Sequence, residues 1–95
     1  RIIRIELSLD DLKRAGYGIS LGRSADLVDQ LIEYKEISRR HARISWDGAR
    51  VCVEDLNSTN GTHINGRALT PFEPDPVAGG DEVKIGQVVL NVDIS

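Results

Sequence analysis

The chain has 95 residues, 40% hydrophobic and 28% charged, which suits one domain with one modest core. Twelve Lys and Arg against fifteen Asp and Glu leave a net charge of −3, which argues against general nucleic-acid binding. No apolar run approaches the roughly 20 residues of a membrane span, and the single cysteine, Cys52, excludes an internal disulfide and a cysteine-based zinc site.

The first eight residues after Arg1, "IIRIELSL", alternate: Ile3, Ile5, Leu7 and Leu9 fall on one face, Arg4, Glu6 and Ser8 on the other. A short helical turn is predicted over "SLDDLKRAG", with Ser8 as cap, Asp10 and Asp11 in the first turn and Gly16 at the end. "YGISL" reads as the next strand. "HARISW" places Ala42, Ile44 and Trp46 together, and "RVCVED" sets Val51 and Val53 against Arg50, Cys52 and Glu54. "DEVKIG" pairs Val83 with Ile85, and "QVVLNVDI" aligns Val88, Leu90, Val92 and Ile94. Turn signals separate these runs: "WDG" at 46–48, "NG" at 60–61 and again at 65–66, and "GG" at 79–80. The prolines of "FEPDPVAGG" keep it out of a central strand. Short strands at this spacing imply an all-β sandwich or barrel.

Three polar segments interrupt the strands: "LGRS" (21–24), "ISRRHARI" (37–44) and "DLNSTNGTHING" (55–66). Their residue types suit a phosphate monoester, which carries three acceptor oxygens and about −1.5 to −2 charges at pH 7. Arg23 offers a forked cation, Arg39 or Arg40 a second one, and Ser38 and Thr59 offer hydroxyl donors. Asn60 can donate to and accept from a peptide backbone at once. Gly22 and Gly61 permit positive φ or a close approach. These positions are distant in sequence and meet only if loops at one end of a sandwich converge.

"GRS", "SRRHARI" and "EDLNSTNGTHINGR", in that order, resemble the forkhead-associated (FHA) family, whose domains read phosphothreonine peptides. The resemblance runs from about Tyr17 to Val92. It implies a sandwich of two antiparallel sheets with about 10–11 short strands and the binding loops at one end. It also implies that Arg23, Ser38, Arg39 and Thr59 contact phosphate, that Asn60 holds the peptide main chain, and that Gly22, His41 and Gly61 support the site. No cofactor or metal is implied. The expected partner is a phosphothreonine-containing protein, with no nucleic acid and no membrane insertion, in a cytosol-facing setting. The 95 residues are expected to be a single domain cut from a longer protein, since they start at Arg1 and contain no Met. The segment "SADLVDQLIEYKEI" departs from the family pattern, which leaves the target motif open.

Other readings of the same residues stand beside this one. Taken alone, Arg23 is a solvated surface residue, Ser38 a strand-start hydroxyl, and Thr59 and Asn60 turn formers. Arg40 faces solvent or pairs with a carboxylate. Trp46 and Cys52 read as sheet residues and His63 as a surface residue. Ser38 and His41 look like half of a hydrolytic dyad, but three residues apart at a strand start they tend to opposite faces. A nucleophile elbow is absent, so the chain is not read as an enzyme. A phosphate-independent interaction domain of the same fold is the alternative.

Overall fold

A computed structural model describes residues 1–95. Its elements follow in the order β1 (Ile2–Leu7), α1 (Leu9–Arg14), β2 (Ile19–Gly22), β3 (Gln30–Leu31), β4 (Ala42–Trp46), β5 (Val51–Asp55), β6 (Thr62–Ile64), β7 (Arg67–Ala68), β8 (Asp75–Pro76), β9 (Val83–Ile85) and β10 (Val88–Ile94). They form two five-stranded sheets, ordered β1-β10-β9-β6-β7 and β3-β2-β4-β5-β8. The expected sandwich of about ten short strands is present. Its pairings are antiparallel except at two edges, where β1 runs parallel to β10 and β3 parallel to β2. No helix is long and apolar enough to cross a membrane.

Alternation explains how the sheets face each other. Leu21, Ile44 and Val53 point inward from one sheet, and Ile5, Ile64, Val83, Ile85, Val88 and Leu90 from the other, into a single core. Leu9 departs from the strand reading. The strand stops at Leu7 because Ser8 turns the chain, its hydroxyl accepting the Asp11 N–H at 3.3 Å as the cap of α1. The helix then drops Leu12 into the core. It stops one residue before the cap position, which Ala15 takes in place of Gly16. Asn65 and Gly66 both have positive φ (51° and 81°), the signature of a two-residue turn, and they join β6 to β7. Pro76 sits on the edge strand β8, where its missing N–H is harmless.

The segment between β2 and β4 is better anchored than its sequence suggests. Ile32 and Ile37 are buried with the core. The Asp29 carboxylate accepts the backbone N–H and the hydroxyl of Ser20, both at 3.0 Å, and these bonds hold its pKa below the usual value. Alternation fails at Cys52 and Glu54, which lie on the outer face and are buried nonetheless. Asp47 and Arg50 in the β4–β5 turn cover the thiol, and Glu54 pairs with Arg43 at 3.5 Å.

Candidate functional site

The three polar segments converge at one end of the sandwich, and main-chain bonds fix how they meet. The Arg23 N–H donates to the Ser38 carbonyl at 3.0 Å and the Ser24 N–H to the Arg39 carbonyl at 3.2 Å. These bonds hold the end of β2 against the turn before β4. From the third segment, the Thr59 N–H donates to Ser38 Oγ at 3.0 Å. A shallow cleft results, lined by Arg23, Leu27, Ser38, Arg39, Arg40, Asn57 and Thr59.

Arg23 is exposed, yet its Nε donates to the Ile37 carbonyl at 2.9 Å. That bond orients the guanidinium and leaves both Nη groups free for an oxyanion. The structure's ion pairs use Arg4, Arg14, Arg43, Arg50 and Arg67. Arg23, Arg39 and Arg40 belong to none of them, so three guanidinium groups share one cleft without a carboxylate among its lining residues. Ser38 Oγ accepts from Thr59, and its own hydrogen remains available to donate.

His41 lies beneath the cleft, fully buried. The Ser38 N–H donates to its Nδ1 at 3.0 Å, which fixes the hydrogen on Nε2, and Nε2 donates to the Gly61 carbonyl at 2.8 Å. One neutral imidazole thus ties the second segment to the third. It holds the main chain of Ser38, not its hydroxyl, so the pair has no nucleophile–base contact. Asp55 is the second tie. Its carboxylate accepts the Ser58 N–H at 3.1 Å, the Ser58 hydroxyl, and the Thr62 hydroxyl at 2.7 Å. The Ser58 hydroxyl accepts the Gly61 N–H at 3.0 Å.

Gly22 sits where a Cβ would overlap the Arg39 carbonyl oxygen, so only glycine lets the two segments close. Gly61 has φ +85° and adds a bond from the Gly86 N–H to its carbonyl at 3.0 Å. Asn60 stands apart from the cleft lining. Its Nδ2 donates to the Glu36 carbonyl at 2.8 Å, and the exposed side chain makes no hydrogen bond through Oδ1.

The match to the FHA domain family spans residues 19–86. The chain belongs to the FHA domain family. FhaA of Mycobacterium tuberculosis, an FHA domain-containing protein, is 36% identical over 87 residues, covering 86% of this chain and 16% of FhaA. The glycogen accumulation regulator GarA of Mycolicibacterium smegmatis is 38% identical over 71 residues, covering 75% of this chain and 42% of GarA. A domain solved in a structural and functional analysis of FHA domain interactions superposes with a TM-score of 0.60 and 37% identity. That match covers 74% of this chain and 68% of the other. Both curated relatives are longer than this FHA domain, and β1, α1 and β10 lie outside its family-matched residues.

Sequence reasoning misses two cleft residues of this FHA domain, Asn57 and Leu27. It offers Arg40 as the alternative to Arg39 for the second cation and otherwise leaves it to solvent or to a carboxylate partner; the side chain is exposed and lines the cleft together with Arg39. Asn57 adopts φ 64°, a left-handed conformation that Asn tolerates, and its place in "LNST" is the available signal. Leu27 is 48% exposed beside Arg23, and nothing in the sequence marks it.

Burial holds the His41 imidazole below its ordinary pKa, partly offset by the bond to Gly61 and the nearby Asp55 carboxylate. An unfolded chain takes up this proton near pH 6.5, whereas the folded domain resists it. The stability contributed by His41 is therefore complete above about pH 6.5 and is lost as pH falls through the lower folded-state value. Thermal melts are expected to be flat above about pH 6.5 and to decline toward pH 5, before most carboxylates titrate. A melting temperature constant across that window would refute this account of His41.

Proposed function

We propose that this domain binds phosphothreonine in an extended peptide of a partner protein, as a module of signalling or regulated assembly. The observation that carries the reading is the cleft itself. Three arginines outside every ion pair meet the hydroxyls of Ser38 and Thr59, on a chain whose net charge is −3. A local cation cluster on an acidic domain selects a small dianion over a polyanion, whose repeated charges would meet carboxylates elsewhere.

In this reading Arg23 and Arg39 neutralise the phosphate and Ser38 and Thr59 donate hydrogen bonds to it. Asn60 holds the peptide main chain through Oδ1, and Gly22, His41 and Gly61 keep the loops in place. Arg40 adds a third cation. FHA domains are phosphopeptide-binding modules and not enzymes. The interactions analysed for the similar solved domain are phosphothreonine-dependent. The 95 residues would serve as one domain of a longer protein, and a cytosol-facing setting accords with the free thiol of Cys52.

A panel of matched peptides tests the reading. A phosphothreonine peptide selected from an oriented library is compared by calorimetry with its phosphoserine, unphosphorylated and Glu-substituted forms. Micromolar affinity, about −8 kcal/mol, is expected for phosphothreonine. The phosphoserine peptide should bind at least a few-fold more weakly, since one buried methyl is worth about 0.8 kcal/mol. The Glu peptide should fail, having fewer oxygens and about half the charge. Equal affinity for the unphosphorylated peptide would establish the phosphate-independent alternative instead.

A further inference from the structure

β1 is the edge strand of its sheet, and its outer side has no neighbour. The other edge strands, β3, β7 and β8, have two residues each, whereas β1 has six. Only β1 is long enough to template another strand. The bonds at its two ends show which groups are free. The Val89 N–H donates to the Arg1 carbonyl at 2.8 Å and the Ser95 N–H to the Leu7 carbonyl at 3.0 Å. A parallel ladder engages alternate residues, so the odd-numbered residues bond to β10. The N–H and C=O groups of Ile2, Arg4 and Glu6 face the open edge.

We infer that β1 pairs with β1 of a second copy of this chain across a two-fold axis, which makes the pairing antiparallel. Charge fixes the register. Arg4 opposite the partner's Glu6 makes two attractive cross-strand pairs by symmetry, with Ile5 opposite the partner's Ile5 and Ile3 opposite the partner's Leu7. Sliding by one step that keeps the hydrogen bonds sets Arg4 against the partner's Arg4, or Glu6 against the partner's Glu6. The existing ion pairs favour the same register. Glu6 lies beside Asp93 on β10, and Arg4 serves both carboxylates, at 3.3 and 2.7 Å. The partner's Arg4 supplies the second cation that this acidic pair lacks. Ile2, 74% exposed in the single copy, falls opposite the partner's Ser8. No cleft residue takes part, so the pair would present two free clefts for bivalent binding.

Sedimentation equilibrium of the 95-residue chain tests the pairing. A dimer with a dissociation constant on the order of 10–100 µM is expected, because one edge covers less area than a standard interface. Arg4→Glu should weaken it about tenfold or more, and Arg4→Glu/Glu6→Arg should recover it, since the swap restores both opposite-charge pairs. Glu6→Pro removes an N–H that faces the open edge and no bond to β10, so it should yield a folded monomer by thermal melt. A chain that stays monomeric at about 1 mM would overturn the inference, leaving Arg4 and Glu6 as guards of a solvated edge. A dimer that survives Glu6→Pro, or that the charge swap fails to recover, would overturn it equally.

Discussion

Arg23→Ala is expected to weaken phosphothreonine-peptide binding at least tenfold while leaving the domain folded. The side chain is exposed and outside the core, so its loss removes only the Nε bond to the Ile37 carbonyl from the folded state. Both Nη groups are free to form a charge-assisted fork, and such bonds contribute about 1.5–3 kcal/mol each. A tenfold loss corresponds to about 1.4 kcal/mol, slightly less than one such bond, so the expected minimum is modest. Arg23→Lys should recover part of the affinity, because it keeps the charge and loses the planar fork. Calorimetry with the selected phosphothreonine peptide gives both values, and thermal melts show whether the fold survives. An Arg23→Ala domain that binds as tightly as the parent would remove Arg23 from the site.

Gly22→Ala should have the largest effect on the domain itself. The added Cβ would overlap the Arg39 carbonyl oxygen and would meet the Arg39 carbonyl carbon at 2.7 Å and Val28 Cγ1 at 2.9 Å. Two of these are main-chain atoms of the turn that carries Ser38, Arg39 and Arg40. Relief therefore requires the two segments to separate, breaking the bonds from Arg23 and Ser24 to the Ser38 and Arg39 carbonyls. A cost of about 3 kcal/mol or more is expected, a large fraction of the roughly 5–15 kcal/mol that holds a small domain together. Urea denaturation measures it. Peptide binding should fall even in conditions where the variant remains folded, because the cleft opens. A Gly22→Ala domain with parent-like stability and affinity would mean that the close approach of these segments is not required.

The expected effects concentrate at these two positions because each joins fold to site by a different route. Arg23 acts through charge on a surface that is already formed. Gly22 acts through the absence of atoms, which lets that surface form. His41 lies between them, a buried group whose two ring nitrogens bind one loop to the other.

The strand set was legible in the sequence wherever period-two alternation met turn chemistry. β4, β5, β9 and β10 follow their apolar positions, and the Asn65–Gly66 turn follows from its residue types. The cap of α1 was legible at Ser8 for the same local reason: its hydroxyl reaches the Asp11 N–H three residues on. The order of "GRS", "SRRH" and "STNGT" was enough to suggest the family, because those side chains and glycines occupy fixed offsets from strand ends.

Other features depended on the tertiary structure, because they arise between segments distant in sequence. β3, β7 and β8, of two residues each, are too short to carry a period and exist only through their neighbours. The strand reading of Leu9 failed for a local reason instead: Ser8 caps α1, a competition between neighbouring bonds that alternation does not register. Cys52 and Glu54 are buried on an outer face because a turn and an arginine happen to cover them. The cleft membership of Arg40, Asn57 and Leu27 is equally a matter of convergence, as is the placement of Asn60 outside the lining. Residue types dictated what each loop can do chemically. Which loops face one another, at what distance, and which side chains are left unpaired were decided by two sheets packing across a shared core, since packing acts between residues and not along the chain.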